Sequence, residues 1–185
     1  GLKHLTYVIS VSESHNKANI NRTHDQSFEE LRRIRESLPE LELCIGMATT
    51  FGCPFEGIPT LDKVLHFVER IRSSGVDTVY LADTIGIADP TQVRRTVQGI
   101  RGNFPDMKLQ VHIHDTRGMG LVNTLAAIEA GVDTVQSTLG GLGGCPFAPG
   151  ASGNTATEDL VYMLQRMGYD TGIDFDKLLA LSKEQ

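Results

Sequence analysis

The sequence has few of the features that mark secreted or nucleic-acid-binding proteins. Its three cysteines, Cys44, Cys53 and Cys145, form no Cys-x-x-Cys pair. An odd number without that spacing argues against a disulfide framework and a structural zinc site, and indicates a reducing compartment. The 17 Lys and Arg residues are outnumbered by 23 Asp and Glu, for a formal net charge of -6. Nucleic-acid binding needs a basic face, so we expect none.

Long apolar runs are also lacking. No run approaches the roughly 20 residues of a membrane-spanning helix, so we expect no membrane association. No signal peptide or transit segment is recognisable, although residue 1 is Gly and not Met. We therefore expect a cytoplasmic protein, with the mitochondrial matrix and the peroxisome left open. The 40% hydrophobic and 22% charged residues are typical of a globular domain.

The sequence instead alternates strand-like and helix-like segments. Short apolar runs rich in β-branched residues predict five strands: Leu5–Val11, Leu43–Ala48, Val76–Ala82, Leu109–Ile113 and Val132–Thr138. Segments with helical periodicity lie between and after them: Ser27–Leu38, Thr60–Ser74, Pro90–Phe104, Arg117–Ala130 and Asn154–Met167. Buried strands separated by helices predict a parallel sheet.

Short motifs recur along the chain. Gly-Val-Asp-Thr-Val begins at Gly75 and Gly131, Asp-Thr-x-Gly at Asp83 and Asp115, and Gly-Cys-Pro-Phe at Gly52 and Gly144. The copies are one or more βα units apart, which indicates a repeated βα architecture.

Two architectures fit this alternation: a doubly wound open sheet and a (β/α)8 barrel. No Gly-x-Gly-x-x-Gly follows the first strand, and polar or metal-binding residue types follow several strands, as at a barrel mouth: Glu13, Cys53, Asp83, His112, His114 and Cys145. We favour the barrel. Because a barrel has eight strands and about 250 residues, we expect residues 1–185 to be the C-terminal portion of one barrel domain, with about five βα units.

The strongest local motif is His112-Ile113-His114-Asp115. Residues i and i+2 of a strand project to the same face, so both imidazoles can bind one divalent ion. The alternative is a pair of buried, hydrogen-bonded histidines. Asp115 faces away from both and is expected to support the loop or a ring N–H.

A glycine-rich segment from Gly140 to Asn154 follows the fifth strand. Its composition predicts a loop that closes over a substrate and excludes water. Cys145 lies in its middle, where a thiol can donate a proton or act as a nucleophile. A flexible connector with an incidental cysteine is the alternative. Asn154 is expected to cap the helix that follows.

Three further positions carry carboxylates with two interpretations each. Asp83 at a strand end is either a mouth-facing group that orients a histidine or moves a proton, or a turn-forming Asp. Glu158 is either an active-site group or a first-turn charge that favours the helix dipole. Ser12-Glu13 either binds substrate or caps a helix.

Taken together, these motifs resemble one known family. The run from Gly141 to Asn154, the following Ala156–Val161, His112–Asp115, Leu81–Thr84 and Phe51–Gly57 match hydroxymethylglutaryl-CoA lyases in order and spacing. The glycine-cysteine loop is specific to that family, whereas the His-x-His-Asp strand occurs across a wider superfamily of metal-dependent lyases and synthases. The resemblance covers essentially the whole chain.

The resemblance implies a (β/α)8 barrel that cleaves 3-hydroxy-3-methylglutaryl-CoA to acetyl-CoA and acetoacetate with Mg2+ or Mn2+. His112, His114 and Asn154 would be metal ligands. The implied catalytic residues are Cys145, which protonates the acetyl-CoA enolate, together with His112, Asp83 and Glu158. Gly143 and Gly144 would contact the acyl-CoA substrate. A homodimer is possible for the full-length protein.

The sequence also departs from the family. The family's first strand carries an Arg-Asp pair, in which the Asp binds metal and the Arg stabilises the enolate; these 185 residues contain no counterpart. The chain is therefore expected to begin at the fourth strand and to stop early, and the isolated chain to be inactive. Tyr80 stands where some of these lyases carry a small serine.

Three alternatives stay open. One is a lyase for a related 3-hydroxyacyl-CoA. Another is a condensing synthase of the isopropylmalate or homocitrate type, disfavoured because Gly144-Cys145-Pro146 replaces that group's acidic loop. The last is an inactive metal-binding fragment.

Overall fold

A computed structural model of the chain describes residues 1–147 and 153–184. Its centre is a five-stranded sheet in which every neighbouring pair is parallel and the spatial order follows the chain. The strands are β1 (His4–Ser10), β2 (Glu42–Ala48), β3 (Thr78–Asp83), β4 (Lys108–Ile113) and β5 (Thr134–Gln136). All carboxyl ends therefore lie along one edge of the sheet.

Seven α-helices surround or follow the strands within the described residues. They are α1 (Glu13–Ile20), α2 (His24–Ser37), α3 (Leu61–Ser73), α4 (Pro90–Asn103), α5 (Gly120–Glu129), α6 (Thr157–Arg166) and α7 (Phe175–Ser182), with a 3-10 turn at Leu139–Gly141. Several of these helices begin at a residue whose side chain caps the first turn. Thr23 forms a full capping box with Gln26, and Thr60 and Asp89 accept backbone N–H groups at the starts of α3 and α4.

The two faces of the sheet differ in character. One face carries the fully buried side chains that pack against the helices, such as Ile45, Leu81 and Leu109. On β4 the opposite face carries half-buried Gln110 and His112. Because consecutive right-handed crossovers between sequential strands place all helices on one side, the other side becomes the interior of a barrel. A doubly wound sheet would have helices on both faces.

The predicted elements are confirmed, with shifted boundaries. The fifth strand, predicted over Val132–Thr138, has only three residues. The last long helix begins at Thr157 rather than Asn154, so the prediction of Asn154 as its N-cap is wrong: the cap is Ala156, without a side-chain hydrogen bond. Helix α1 was not predicted, because its sequence has no apolar stripe. None of the helices in residues 1–147 and 153–184 is long and apolar enough to cross a membrane.

Candidate active site

The histidine pair predicted from the sequence lies at the carboxyl end of β4. The Nε2 atoms of His112 and His114 are hydrogen-bonded to each other at 3.1 Å, as in the alternative interpretation of this motif, and their ring centroids are 5.0 Å apart. Because side chains alternate between the two faces of a strand, both rings lie on the face opposite buried Val111 and Ile113. The two nitrogens therefore converge on one point at the barrel mouth.

Asn154 is brought to this pair from 40 residues further along the chain. Its backbone forms an antiparallel bridge with His114. Its side-chain Nδ2 donates to the Leu142 carbonyl at 2.8 Å, which fixes the amide orientation. The Oδ1 atom is buried and makes no well-formed hydrogen bond within the described part of the chain, and the Asn154 side chain lies near enough to His112 to oppose the lowering of that imidazole's pKa by burial. A buried acceptor without a partner is costly unless another group, such as a cation, satisfies it.

Gly143 permits this close approach of the loop to Asn154. Its φ of 121° lies in a region that side chains rarely adopt, and a Cβ atom there would lie 2.5 Å from Asn154 Nδ2. Only glycine fits without displacing the amide. The predicted substrate contact of Gly143 stays a prediction, but its steric role beside Asn154 is evident in the structure.

Burial favours the neutral form of both imidazoles. It lowers the pKa of His112, and the neighbouring His114 lowers it further. Burial also lowers the pKa of His114, although the Thr84 backbone and the Asp83 charge oppose the shift. Neutral imidazole is the form that binds a metal ion.

These donors fit a divalent ion. Two imidazole nitrogens and an unsatisfied amide oxygen make a mixed shell that leaves further positions open, unlike a closed tetrahedral zinc site. No group of three His, Cys, Asp or Glu side chains with metal-binding geometry occurs among the described residues. The amide oxygen is therefore needed to complete even a three-donor set within this part of the protein.

Asp83 turns towards the helical layer and not directly into the barrel. It shares the side of β3 with buried Val79 and Leu81, and its two carboxylate oxygens accept the N–H groups of Ile87 and Ala88 at 3.0 Å each. Burial raises the pKa of Asp83, and these N–H groups and the nearby His114 oppose the rise. Asp83 thus shapes the β3–α4 loop beside His114; proton transfer by Asp83 stays a prediction.

Glu158 lies in the first turn of α6 and is 8% exposed. Its two carboxylate oxygens accept the Gly140 N–H at 2.9 and 3.0 Å. Although burial tends to raise the pKa of Glu158, hydrogen bonds from Ser182 and Gly140 lower it overall. The carboxylate therefore anchors the start of the glycine-rich loop, and its predicted catalytic role stays a prediction.

Cys145 is partly exposed and is a free thiol. The predicted glycine-rich loop spans residues 140–154, of which 148–152 lie outside the described residues. Before these residues in the chain, Gly144 has no described atom within 4 Å of the position that a Cβ would take. After them, Gly153 lies against the Gly141 carbonyl.

The remaining residues predicted to matter at strand ends, Ser12, Glu13 and Asp115, make contacts within loops and at helix starts. Ser12 caps α1 by accepting the His15 N–H, and Glu13 accepts the His24 N–H. Asp115 accepts the Gly120 N–H at 2.5 Å at the start of α5, in agreement with its predicted support of the loop. None of these contacts involves the histidine pair.

Sequence reasoning singled out Tyr80 but missed Gln110 and Gln136, which also lie around His112 in the barrel interior. The Tyr80 ring lies 5.9 Å from the His112 ring and directly over Gly46, where a Cβ would be 2.3 Å from the phenol carbon. Gln136 donates to Gln110 at 2.9 Å, and the Gln136 side chain opposes the lowering of the neighbouring His112 pKa by burial. All these residues have even-numbered strand positions on the same sheet face as His112, with Tyr80 paired to Gln110 and Gln136 paired to His112, and this alternation is the signal that identifies them.

A parallel sheet with its helices on one face and polar side chains gathered at the strand ends is the arrangement found in part of an α/β-barrel enzyme. The HMGL-like family model matches residues 1–184. Hydroxymethylglutaryl-CoA lyase YngG of Bacillus subtilis is 37% identical over 185 residues, covering 99% of this chain and 62% of that protein. The chain belongs to the HMGL-like family, and the predicted family is confirmed.

Solved structures support the fold as well. An HMG-CoA lyase from Acinetobacter baumannii, solved with coenzyme A and 3-methylmalate, matches with a TM-score of 0.91 and 47% identity, covering 97% of this chain and 59% of that one. This likeness confirms the partial barrel. The (R)-citramalyl-CoA lyase of Chloroflexus aurantiacus is 40% identical over 184 residues, covering 98% of this chain and 58% of that protein. The chain thus spans about three-fifths of the length of its relatives.

Proposed function

We propose that the complete protein is a divalent-metal-dependent lyase that cleaves 3-hydroxy-3-methylglutaryl-CoA to acetyl-CoA and acetoacetate. The observation that carries the proposal is the convergence of His112, His114 and the unsatisfied Asn154 oxygen at the barrel mouth. Family membership supplies the reaction class, because the relatives are named as lyases of hydroxyacyl-CoA compounds.

His112, His114 and Asn154 would hold Mg2+ or Mn2+. The ion would lower the pKa of the substrate's tertiary hydroxyl and keep that hydroxyl in place. Burial keeps the two imidazoles neutral and therefore able to bind the ion. The Leu142 carbonyl keeps the amide of Asn154 turned so that its oxygen remains available.

In the reaction a base takes the proton of the C3 hydroxyl, a role that the family resemblance gives to the Asp of the first barrel strand outside these 185 residues, and the C2–C3 bond breaks. The bonding pair moves to C2 as a thioester enolate, while C3 becomes the ketone carbon of acetoacetate. A proton added at C2 then gives acetyl-CoA. Cys145 is the thiol on the loop beside Asn154, and we assign it this protonation. Asp83 and Glu158 support these groups through the loops they hold.

A related substrate is the second candidate. Relatives with two substrate names match this chain at comparable identity, 37% and 40%. Tyr80 also places a phenol ring in the barrel interior, 5.9 Å from His112, where the acyl group would lie. Citramalyl-CoA offers the same tertiary alcohol and thioester with a different acid, so it suits the same chemistry.

The test measures acetyl-CoA release from both thioesters in the presence of Mg2+ or Mn2+. It compares the 185-residue chain with a version extended through the barrel strands that contain the family's Arg-Asp pair. We expect release by the extended version only, and faster release from 3-hydroxy-3-methylglutaryl-CoA. A preference for citramalyl-CoA would support the second candidate. Metal binding without release from either thioester would contradict both.

A further inference from the structure

Three aromatic rings from separate loops meet at the carboxyl ends of the strands. The ring of Phe147 lies 4.4 Å from that of His15 and 6.0 Å from that of Phe55, and His15 and Phe55 are 6.2 Å apart. We call this set the three-ring contact. His15 belongs to α1, Phe55 to the loop after β2, and Phe147 to the glycine-rich loop after β5. Phe55 and Phe147 end the two Gly-Cys-Pro-Phe copies.

The topology shows how far the glycine-rich loop must reach. Strands β1 and β5 form opposite edges of the sheet, yet Phe147 contacts residues that follow β1 and β2. Segment 142–147 therefore spans the carboxyl-end side of the sheet, from the Leu142 carbonyl, which accepts a hydrogen bond from Asn154 next to His114, to His15 in α1. Cys145 lies on this segment, two residues before Phe147.

His15 is held rigidly in the position that receives Phe147. Its backbone N–H donates to the Ser12 hydroxyl at 3.1 Å, and its Nδ1 is 2.8 Å from the Ser10 hydroxyl oxygen. The side chain is 1% exposed, and its Nε2 has no hydrogen-bond partner among the described residues. A histidine buried with one nitrogen unsatisfied contributes mainly its ring face to packing.

Phe55 is held in a comparable way. The Cys53 sulfur accepts the N–H groups of Phe55 and Glu56, and the Cys53 thiol contacts the Ser12 hydroxyl at 3.1 Å. Ser12 thus links the α1 start, which carries His15, to the loop that carries Phe55. Phe147 thus meets two rings on segments that Ser12 joins: His15 is buried, and Phe55 is 54% exposed but has its backbone N–H held by Cys53.

We infer that His15 and Phe55 are positioning residues for Cys145: by packing against Phe147 they keep segment 142–147 across the strand ends, and so keep the thiol at the barrel mouth. The catalytic meaning of this placement rests on the function proposed above for Cys145. The placement itself does not, because it follows from ring contacts and strand order.

The experiment measures alkylation of the thiols in the 185-residue chain by iodoacetamide, followed cysteine by cysteine by peptide mass spectrometry. Half-buried Cys44 on β2 serves as the internal reference, and burial raises the pKa of Cys44 to about 11. Neither substrate nor metal is needed, so the outcome is independent of the lyase proposal. The variants are Phe147→Ala, His15→Ala and His15→Phe, with Phe175→Ala as the matched control, since it removes a 5.7 Å ring contact with Tyr162 between α6 and α7.

We expect Phe147→Ala and His15→Ala to raise the Cys145 alkylation rate about fivefold, because a segment that is no longer held leaves its thiol more accessible. About fivefold is the factor that corresponds to one aromatic contact. His15→Phe keeps the ring and should stay within about twofold of the unmodified chain, by the same reasoning. The Cys44 rate should not change in any variant. An unchanged Cys145 rate in Phe147→Ala, or an equal change in Phe175→Ala, would overturn the inference.

Discussion

At the scale of single residues, the site depends on polar atoms that have few hydrogen-bond partners. The Nε2 atoms of His112 and His114 share one 3.1 Å hydrogen bond, and the buried Asn154 Oδ1 makes no well-formed hydrogen bond within the described residues. Unsatisfied acceptors raise the free energy of the folded chain unless a ligand uses them. A cation bound at this point would satisfy all three atoms, so binding and stability should be linked.

Replacing His114 by Ala should weaken Mg2+ and Mn2+ binding. Loss of an outer partner of a ligand already costs about 10- to 100-fold in metal affinity, so loss of a ligand should cost at least as much. Isothermal titration of the protein with each metal measures the effect.

The matched control is His66→Ala, which removes an exposed imidazole from α3. It should bind metal as the unmodified protein does. Equal metal titration curves for His114→Ala and the unmodified protein would rule out the ligand assignment.

Residue patterns along one strand were predictable, and contacts between distant segments were not. Period-two alternation placed His112 and His114 on one face because it depends only on strand geometry. The same alternation turns Asp83 towards the helices, a consequence the sequence interpretation did not draw. Local pattern alone indicated that Asn154 caps a helix, and only the family resemblance implied a metal ligand; the tertiary bridge that brings its backbone beside His114 cannot be derived from spacing.

At the scale of elements, the glycine-rich loop is fixed at both ends. Glu158 in α6 accepts the Gly140 N–H at its start. Near its end, the Gly153 carbonyl accepts the Asp115 N–H at 3.0 Å, and Asn154 N–H donates to the Gly141 carbonyl at 3.1 Å. Backbone hydrogen bonds thus tie the two ends of the loop to each other and to β4.

Gly153→Ala should disturb both stability and metal binding. Gly153 has a φ of 116°, and a Cβ there would lie 2.2 Å from the Gly141 carbonyl oxygen. Strain of this kind costs about 1–3 kcal/mol, and the adjacent Asn154 would shift with the backbone. Urea denaturation should show lower stability, and metal titration should show weaker binding.

Gly102→Ala provides the control for this substitution. Gly102 lies in α4 with no described atom within 4 Å of a Cβ. Alanine there should raise stability by up to about 1 kcal/mol, because glycine is a poorer helix former. Metal affinity should not change. If Gly153→Ala left both properties unaltered, the tight packing of the loop ends would be refuted.

Elements were predictable where their sequences have a clear period. The apolar stripes of α2, α3 and α4 gave their existence and approximate ends, but the Thr23 capping box starts α2 at His24, three residues before the predicted Ser27. Helix α1 has the sequence Glu-Ser-His-Asn-Lys-Ala-Asn-Ile, and only His15 and Asn16 are buried in it. Its burial comes from polar contacts, such as Asn16 with the Ser10 N–H, which periodicity cannot reveal.

At the scale of the whole molecule, the sheet has two strands paired on one side only. Within the described residues β1 pairs with β2 alone, and β5 with β4 alone. In a closed barrel such edges do not exist, because further strands join them. Unpaired edge strands offer free backbone groups to other chains, and natural proteins protect such edges.

The isolated 185-residue chain should therefore self-associate through its strand edges. Sedimentation velocity over a range of protein concentrations should show a sedimentation coefficient that rises with concentration. A version extended by the missing barrel strands should form a species of constant size, whether monomer or dimer, because its edges are paired internally.

A charge placed on the edge distinguishes this mechanism from non-specific aggregation. Thr6 is an exposed residue in the middle of β1, and a lysine on an edge strand disfavours pairing with another strand. Thr6→Lys should therefore reduce the association of the isolated chain. Gln98→Lys adds the same charge at an exposed position of α4 and should leave association unchanged. Equal reduction by both variants would mean that net charge, and not the open edge at β1, controls association, and a monomer at all concentrations would mean that the edges are protected in another way.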